Sequence, residues 1–314
     1  MALFAAVAAV AGVAHGQDRS APAFLQIFEA SYKTLEKRAP DIFNAGYGNI
    51  WIPPISRADQ GDLSVGYDPY DRFDLGSPGR PTLYGTETGI KTTTSVLQRA
   101  SVGTYVDLVW NHNGYSGTGN AAERAAFAAA GGYPGFVFTR ADDIDGDFHG
   151  AFESGDWNGR VAGLIDIAQE KNYQYIRSPV DPGDSRNLPA GTTSLYGRLA
   201  NVPTEANRRF YQNRDVAPAR MVYDPATGQG DIPVYDFTAD TATTGDPVTE
   251  NGLGYLMRNT QWMVQTIGID GFRVDAAKHM PQWVFNYLDR AVYRTNPRKN
   301  LDGSVKHVFS FSEV

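Results

Sequence analysis

The sequence predicts an α/β fold, a (β/α)8 TIM barrel, and three observations favour it. Short apolar runs alternate with segments of helical spacing, which is typical of a parallel sheet with helices outside. Polar or charged residues follow several of these runs, at the strand ends where a barrel places its chemistry. The first run continues into Glu29-Ala-Ser-Tyr without the glycine-rich loop that a doubly wound sheet usually carries, so we favour the barrel over that alternative.

The barrel elements follow one another in order around a long central segment. Strands are expected at residues 23–29, 48–54, 104–110, 271–275 and 308–313. The second of these ends at its two prolines, which cannot donate to a sheet ladder. Helices are expected at residues 31–43, which Pro40 interrupts, and at residues 86–100, 253–267 and 281–294.

Residues 113–252 break this alternation, because they are rich in Gly, Asp, Asn, Pro and Thr and keep no steady period. A structureless loop of that length is implausible in a compact domain, so the segment is interpreted as an irregular domain B inserted after the third strand. The expected organisation is a signal peptide at 1–16, strands one to three at 17–112, domain B at 113–252 and strands four and five at 253–314. On this interpretation the barrel is truncated after its fifth strand.

The first sixteen residues have the composition of a signal peptide. Their apolar run is shorter than the roughly 20 residues that a membrane-spanning helix needs. Small residues, Ala14 and Gly16, stand where a cleavage site would lie. We therefore expect a secreted protein, extracellular or periplasmic, with a buried N-terminal helix as the alternative.

Composition excludes several kinds of site. The 314 residues include 28 Lys and Arg against 35 Asp and Glu, a net charge of −7, without the clustered cations that phosphate binding requires. There is no cysteine, which excludes disulfides, thiol catalysis and thiolate metal sites. The 17 tyrosines fit either an aromatic core or a sugar-stacking surface, and composition alone does not choose between them.

The candidate catalytic residues are three charged residues at two strand ends. Arg273 and Asp275 are two residues apart and share one face of a strand, and Glu313 ends the next strand. The Arg273 cation would keep Asp275 ionised, as a carboxylate nucleophile requires, and apolar surroundings would keep Glu313 protonated as an acid. Neighbouring strands lie about 4.8 Å apart, close to the roughly 5–5.5 Å between the carboxyls of a retaining glycosidase. The alternative is a structural ion pair beside a solvated strand end.

In order and spacing, these motifs resemble the first three signature regions of the α-amylase family, glycoside hydrolase family 13. The matching segments are Asp107-x-x-x-Asn111-His112, Gly271-Phe-Arg273-x-Asp275-x-x-Lys278-His279 and Phe311-Ser-Glu313. Further matches are Gly66-Tyr67-Asp68-Pro69-Tyr70-Asp71, Tyr84-Gly85-Thr86 and Leu164-Ile165-Asp166-Ile167, in which the family usually has Pro in place of Ile165. The resemblance covers residues 23–314.

The resemblance implies a role for each matched residue. Asp275 would be the nucleophile, Glu313 the general acid/base, and Arg273 the residue that orients Asp275. Asp107 would buttress the site. The residues that would bind substrate are Tyr67, His112, Lys278 and His279.

A structural calcium ion is also implied. Its ligands would be Asn111, Asp166 and the backbone carbonyl of His279, all hard oxygen donors of the kind that calcium prefers. The run Asp143-Ile-Asp145-Gly-Asp147 would supply another ligand, although an acidic turn is the favoured interpretation.

The implied activity is that of a retaining glycoside hydrolase acting on α-1,4-glucans. The expected partner is an α-glucan polysaccharide or oligosaccharide, with no nucleic acid and no membrane after signal removal, and the full-length form is expected to be a monomer. Because the family's fourth signature would follow Val314, residues 1–314 alone are expected to be inactive and poorly folded, with Phe309 and Phe311 lacking the wall they pack against. The alternative is an inactive sugar-binding or interaction protein with the same fold.

Overall fold

The structure is a computed structural model that describes most of the barrel segments and scattered parts of the central segment. The described residues are 23–129, 132–138, 146–149, 163–169, 175–177, 220–224, 229–234, 248–250, 252–281, 284–289, 298–306 and 308–313. The expected signal peptide, Asp143, Asp145 and most of residues 113–252 lie outside them. Among the described helices, none combines the length and the apolar character needed to cross a membrane.

The strands of the described residues are short, and several belong to small antiparallel pairs. In chain order they are β1 Phe24–Gln26, β2 Asn49–Ile52, β3 Arg57–Ala58, β4 Pro69–Asp71, β5 Gly103–Leu108, β6 His112–Asn113, β7 Ile165–Asp166, β8 Tyr175–Arg177, β9 Arg220–Asp224, β10 Gln229–Val234, β11 Val248–Glu250, β12 Gly271–Val274 and β13 Ser310–Ser312. The α-helices are α1 Tyr32–Asn44, α2 Glu87–Arg99, α3 Ala121–Ala129, α4 Gly252–Trp262 and α5 Val284–Asp289.

Five of these strands form one parallel sheet in the order β1-β2-β5-β12-β13. Each of the five predicted strands therefore exists, although each is shorter than its predicted range. The order in space follows the order in the chain, without the reversal that defines a doubly wound sheet. The predicted parallel α/β architecture is confirmed, and the doubly wound alternative is wrong.

The sheet is curled, because side chains from its two outermost strands meet. The ring of Phe24 on β1 lies 5.5 Å from that of Phe309 and 5.6 Å from that of Phe311, centroid to centroid. Phe311 also lies 5.5 Å from Trp51 on β2. A flat sheet would hold β1 and β13 four strand spacings apart, roughly 19 Å. Phe309 and Phe311 thus have aromatic partners inside the curl, contrary to the expectation that they lack them.

The helices cover the outer face of this sheet, whose alternate residues, such as Ile50, Val106 and Phe272, are fully buried. Helix α1 begins at a Ser31 side chain that accepts a hydrogen bond from the Thr34 N–H. It continues through Pro40, so the predicted interruption there is wrong. Proline removes one backbone bond, but burial of Leu35, Ala39 and Ile42 along the same face maintains the helix.

Helix α4 differs from its prediction at its carboxyl end. Helix α4 passes at Met263–Ile267 into a π-helical turn that ends at Gly268, a glycine in the left-handed region with φ of 88°. That φ value suits glycine, which has no side chain to clash. Helix α5 covers Val284–Asp289, within the predicted 281–294, and residues 282–283 and 290–297 lie outside the described part of the chain.

The buried carboxylate of Asp270 joins the loop before β13 to the amino-terminal ends of β5 and β12. Asp270, 2% exposed, accepts hydrogen bonds from the Thr104 N–H at 2.8 Å and from Arg298 Nε at 3.2 Å. Lys306 Nζ lies 2.9 Å from the same carboxylate. Two cations thus share one buried anion, which joins β5, β12 and the loop.

Parts of the predicted domain B are described as antiparallel pairs, β6 with β7, β8 with β11 and β9 with β10. The first pair sets His112 opposite Asp166. These pairs do not test the boundaries of 113–252, which remain a prediction.

Candidate active site

The candidate site lies at the carboxyl ends of β5, β12 and β13, where strand register brings its residues together. Arg273 is paired with Asp107 on one side and with Phe311 on the other. Paired residues of parallel strands point to the same face, so all three side chains lie inside the curl. The next ladder bonds place the residues that follow the strands, because the Asp275 N–H donates to Leu108 O and the Glu313 N–H donates to Val274 O.

The Arg273 guanidinium is the centre of the site. Its Nη1 donates to Asp107 Oδ1 and to Asp275 Oδ1, each at 2.7 Å, and its Nη2 pairs with Glu313 Oε2. The Arg273 side chain is 9% exposed and that of Glu313 is 58% exposed. Burial alone would lower the pKa of Arg273, but the three carboxylates together raise it. The arginine therefore stays charged and holds three acidic residues from three strands.

Burial dominates the electrostatics of the two inner carboxyls. Burial raises the pKa of Asp107 to about 6, although Tyr67, Arg273 and Trp51 each act to lower it. Burial also raises the pKa of Asp275; Arg273 opposes this rise, whereas the charge and a hydrogen bond of Glu313 add to it. Arg273 lowers the pKa of Asp275 as expected, but desolvation of the carboxyl outweighs the neighbouring cation, so the net direction of the pKa shift is upward.

Glu313 does not have the surroundings that the sequence predicts. The apolar strand β13 precedes it, but its own side chain lies at the exposed edge of the site and is ion-paired with Arg273. The alternation of the strand predicts the face on which Glu313 lies, and it does not predict how much water reaches it.

Tyr67 lies beside these carboxyls and is fixed at both ends. Its hydroxyl donates to Asp107 Oδ2 at 2.6 Å, and the Arg273 guanidinium lies 6.0 Å from its ring centroid. Burial, followed by the Asp107 charge, raises the pKa of the Tyr67 hydroxyl, so that it keeps its proton and donates. At its backbone, the Tyr67 carbonyl lies 2.9 Å from His112 Nε2.

His112 is a neutral, fully buried side chain. A carbonyl only accepts, so Nε2 carries the proton and donates to Tyr67, which leaves Nδ1 to accept from the Asn111 amide at 3.3 Å. Burial lowers the pKa of His112 to about 4, and the charges of Arg72 and His279 add to that effect. With both ring nitrogens engaged, the described contacts of His112 orient Tyr67 and Asn111.

Arg72 and Trp51 are two residues of this region that the sequence interpretation missed. Arg72 is buried and donates to the carbonyl of His112 and to Asn113 Oδ1, both at 2.7 Å, so it fixes the chain that follows β5. Trp51 donates from Nε1 to Asp107 Oδ2 at 3.0 Å. The alternation of Asn49-Ile-Trp-Ile in β2 would have placed Trp51 inside the barrel; nothing in the sequence around Arg72 predicts its partners.

The residues expected to bind calcium are partly brought together. Asn111 Nδ2 donates to Asp166 Oδ1 at 3.1 Å, and both residues are buried. Their remaining oxygens suit a hard cation. Within the described residues no group of three or more His, Asp or Glu side chains is arranged to hold a metal, and the expected ligand set includes just one carboxylate. Asp147 is committed to the Val137 N–H at 2.6 Å.

The two remaining substrate-binding candidates follow β12 in a short 3-10 turn, Ala277–His279. Lys278 is exposed and His279 is half-buried. The residue that leads into this turn, Ala276, has a φ of 50°, in the left-handed region that non-glycine residues rarely adopt. This sharp change of direction directly follows Asp275, and strained backbone of this kind concentrates at functional sites.

Comparisons with known proteins identify relatives of this chain. No protein-family model matches the chain. The chain is 33% identical over 297 residues to a protein named cytoplasmic alpha-amylase from Escherichia coli, covering 88% of this chain and 52% of that protein. It is 25% identical over 263 residues to a glucan 1,4-alpha-maltohexaosidase from Bacillus, covering 79% and 42%. The chain thus spans about half the length of the curated relatives it matches.

Solved structures show the same fold. Alpha-amylase I from Eisenia fetida matches with a TM-score of 0.52 and 15% identity, covering 93% of this chain and 45% of that one. A maltohexaose complex of a variant of the same enzyme matches with a TM-score of 0.50 and 14% identity. The curled parallel sheet, the strand-end motifs and the curated relatives lead to one assignment: the chain belongs to the α-amylase family, glycoside hydrolase family 13.

Proposed function

We propose that the whole protein is a retaining glycoside hydrolase that acts on α-1,4-glucans. The observation that carries this proposal is the gathering of three carboxyls around the buried Arg273 guanidinium at the open end of the sheet. The alpha-amylase and maltohexaosidase names of its relatives support a starch-type substrate.

In the proposed reaction Asp275 attacks the anomeric carbon while Glu313 donates a proton to the glycosidic oxygen that leaves. The bond between sugar and leaving group breaks, and an ester forms between the sugar and Asp275. Glu313 then takes a proton from water, and that water displaces Asp275 with a second inversion, so the product keeps the anomeric configuration of the substrate. Arg273 holds Oδ1 of Asp275 at 2.7 Å and thereby orients the carboxylate for attack.

Glu313 must leave Arg273 before it can reach a glycosidic oxygen. Its side chain is 58% exposed, so the movement costs little desolvation. Substrate would then separate the two carboxyls by the roughly 5–5.5 Å typical of retaining enzymes. Tyr67 would stack on the sugar at this position, and His112 would contribute through Tyr67, whose carbonyl it holds. Lys278 and His279 would contact the leaving-group side.

Product stereochemistry tests this proposal. We expect the protein expressed from its complete gene to release α-anomers from soluble starch first, as read by proton NMR during the reaction. Asp275→Asn and Glu313→Gln should each lower kcat by orders of magnitude, while Arg38→Gln, in an exposed ion pair, should not. Initial release of β-anomers would contradict a retaining α-glucan hydrolase. Unaltered glucan binding without hydrolysis would favour the inactive sugar-binding alternative.

We further propose that Asn111, Asp166 and the carbonyl of His279 hold a structural calcium ion in the whole protein. The two buried side chains are already in hydrogen-bond contact, and their oxygens are of the type that calcium prefers. The ion would join the β6–β7 pair to the segment after β12. The ion would raise the free energy of unfolding, since an ion bound only by the folded state stabilises that state by mass action.

Export and a monomeric state are proposals about the whole protein as well. The first sixteen residues support export, whereas the Escherichia coli relative bears the name cytoplasmic, so family membership does not decide the compartment. Amino-terminal sequencing of protein from the culture medium tests export and cleavage near Gly16. Light scattering of the same material tests the monomer.

A further inference from the structure

Among the described residues, Trp51 is the one indole in contact with the carboxyls around Arg273. It is the third residue of β2, half-buried, in register with Gln26 on β1 and Tyr105 on β5. Its side chain points into the curled sheet toward the strand ends. From there it reaches groups on four other strands or strand ends.

The polar edge of Trp51 completes the hydrogen bonding of Asp107. The indole Nε1–H donates to Asp107 Oδ2 at 3.0 Å, and the Tyr67 hydroxyl donates to the same oxygen at 2.6 Å. The other oxygen, Oδ1, accepts from Arg273 at 2.7 Å. Three donors therefore fix the plane of one carboxylate, and a fixed Asp107 in turn fixes the guanidinium that holds Asp275.

The face of the same ring lies against the cation. The Arg273 Cζ lies 5.5 Å from the Trp51 ring centroid, within the range of a cation–π contact. The indole itself is held edge-to-face by Phe28 at 5.2 Å and by Phe311 at 5.5 Å. Its position is therefore set by the segment that follows β1 and by β13, at the two edges of the sheet.

We propose that Trp51 is a positioning residue that holds the Asp107 carboxylate and the Arg273 guanidinium in one arrangement for the reaction at Asp275. The inference deepens the proposed hydrolase function and rests on it. If Trp51 only filled space, it would need its aromatic ring and would not need its N–H group. The positioning role and the packing role therefore differ in whether the indole N–H matters.

The decisive variant is therefore Trp51→Phe, which keeps an aromatic ring and removes the donor. The matched control is Trp110→Phe, because Trp110 Nε1 donates to the Thr260 hydroxyl at 3.0 Å, away from the carboxyls. Both variants lose one buried indole hydrogen bond, but only Trp51→Phe takes a donor from a carboxylate.

The first readout is the protonation of Asp107, followed by its infrared carboxyl band in a pH titration and assigned with Asp107→Asn. A donor to the charged form favours ionisation, so its loss should raise the titration midpoint by about one pH unit. The other titratable or charged groups that face Asp107, or share its arginine, are Tyr67, Tyr84, Arg273, Asp275 and Glu313. None of them changes in either tryptophan variant.

The second readout is steady-state kinetics on soluble starch with the protein from its complete gene. We expect Trp51→Phe to lower kcat about tenfold with KM unchanged and to shift the pH dependence of kcat. Trp110→Phe should leave the pH dependence of kcat unchanged. An unshifted Asp107 midpoint in a folded Trp51→Phe protein would overturn the proposal. A raised KM with unchanged kcat would also overturn it, by making Trp51 a sugar-stacking residue.

The two readouts separate this inference from the function on which it rests. Should the wild-type protein not hydrolyse glucans, the proposed function fails, and the Asp107 titration, which needs no turnover, still decides whether Trp51 positions the carboxylate. Should Trp51→Phe fold poorly, Trp51→Met keeps an apolar side chain, removes the donor and adds no titratable group. A midpoint raised by about one pH unit relative to wild type in that variant would support the proposal, and an unshifted midpoint would overturn it.

Discussion

Replacement of Arg273 by glutamine should destabilise the protein in a way that depends strongly on pH. The substitution removes the one cation that contacts Asp107, Asp275 and Glu313 together, and it leaves the first two buried. Loss of one partner from a buried ion pair typically costs about 3–5 kcal/mol. A whole domain is stable by only about 5–15 kcal/mol, so the effect would be large.

The cost depends on whether the carboxyls are charged. Burial raises the folded-state pKa of Asp107 to about 6, above its ordinary value of 3.8, even with Arg273 present. A carboxyl with a raised folded pKa does not oppose folding below its unfolded pKa and destabilises the fold as pH rises through the folded value. Without Arg273 the pKa values of both buried aspartates rise further, and each unit by which a folded-state pKa rises adds about 1.4 kcal/mol of destabilisation at pH values above that pKa.

The measurement is the free energy of unfolding by urea at several pH values, from about pH 5 to about pH 8. We expect Arg273→Gln to be close to wild type at the acidic end and several kcal/mol less stable at the alkaline end. Arg273→Lys, which keeps the charge, should show a smaller pH dependence, and Arg38→Gln, in an exposed pair with Asp41, should show none. A deficit for Arg273→Gln that is equal at all pH values, or greater at low pH, would refute this account.

Three further outcomes are expected in the protein from its complete gene. Asp270→Asn leaves two partly buried cations without their anion and should lower the free energy of unfolding by about 3 kcal/mol in urea titrations; a change under about 1 kcal/mol would contradict the role given to Asp270. Ala276→Gly should raise that free energy by about 0.5–1 kcal/mol, because glycine adopts the left-handed φ without steric cost; a loss of stability would show that the Ala276 methyl group packs usefully. Chelation of calcium should lower the melting temperature, and Asp166→Ala should abolish most of that difference; an unchanged melting curve in chelator would remove calcium from the account.

The fold was predictable because strand and helix periods depend on local sequence. The alternation at residues 271–275 placed Arg273 and Asp275 on one face, and the structure confirms that their side chains are in contact. The predicted break at Pro40 is wrong for the converse reason: a local rule predicts a break, but burial along the whole helix outweighs one missing hydrogen bond.

The interior of the site was not predictable in the same way. The contacts of Asp107 come from Trp51, 56 positions away in the chain, Tyr67, 40 away, and Arg273, 166 away, and no local pattern pairs such distant residues. The raised pKa of Asp275 depends on how much water the folded chain removes from it. The family resemblance indicates the identities of the residues, and the folded geometry supplies their contacts and their burial.

The contact of Phe24 with Phe309 bears on how the protein is made. Phe24 begins the first described strand of the sheet and Phe309 immediately precedes the last, about 285 positions further along the chain. At ribosomal rates of about 5–20 residues per second, the strand around Phe24 would wait roughly 15–60 s for that partner to be synthesised. During that interval an apolar strand edge would remain accessible to chaperones or to neighbouring nascent chains, so production of soluble protein should improve when translation is fast relative to aggregation.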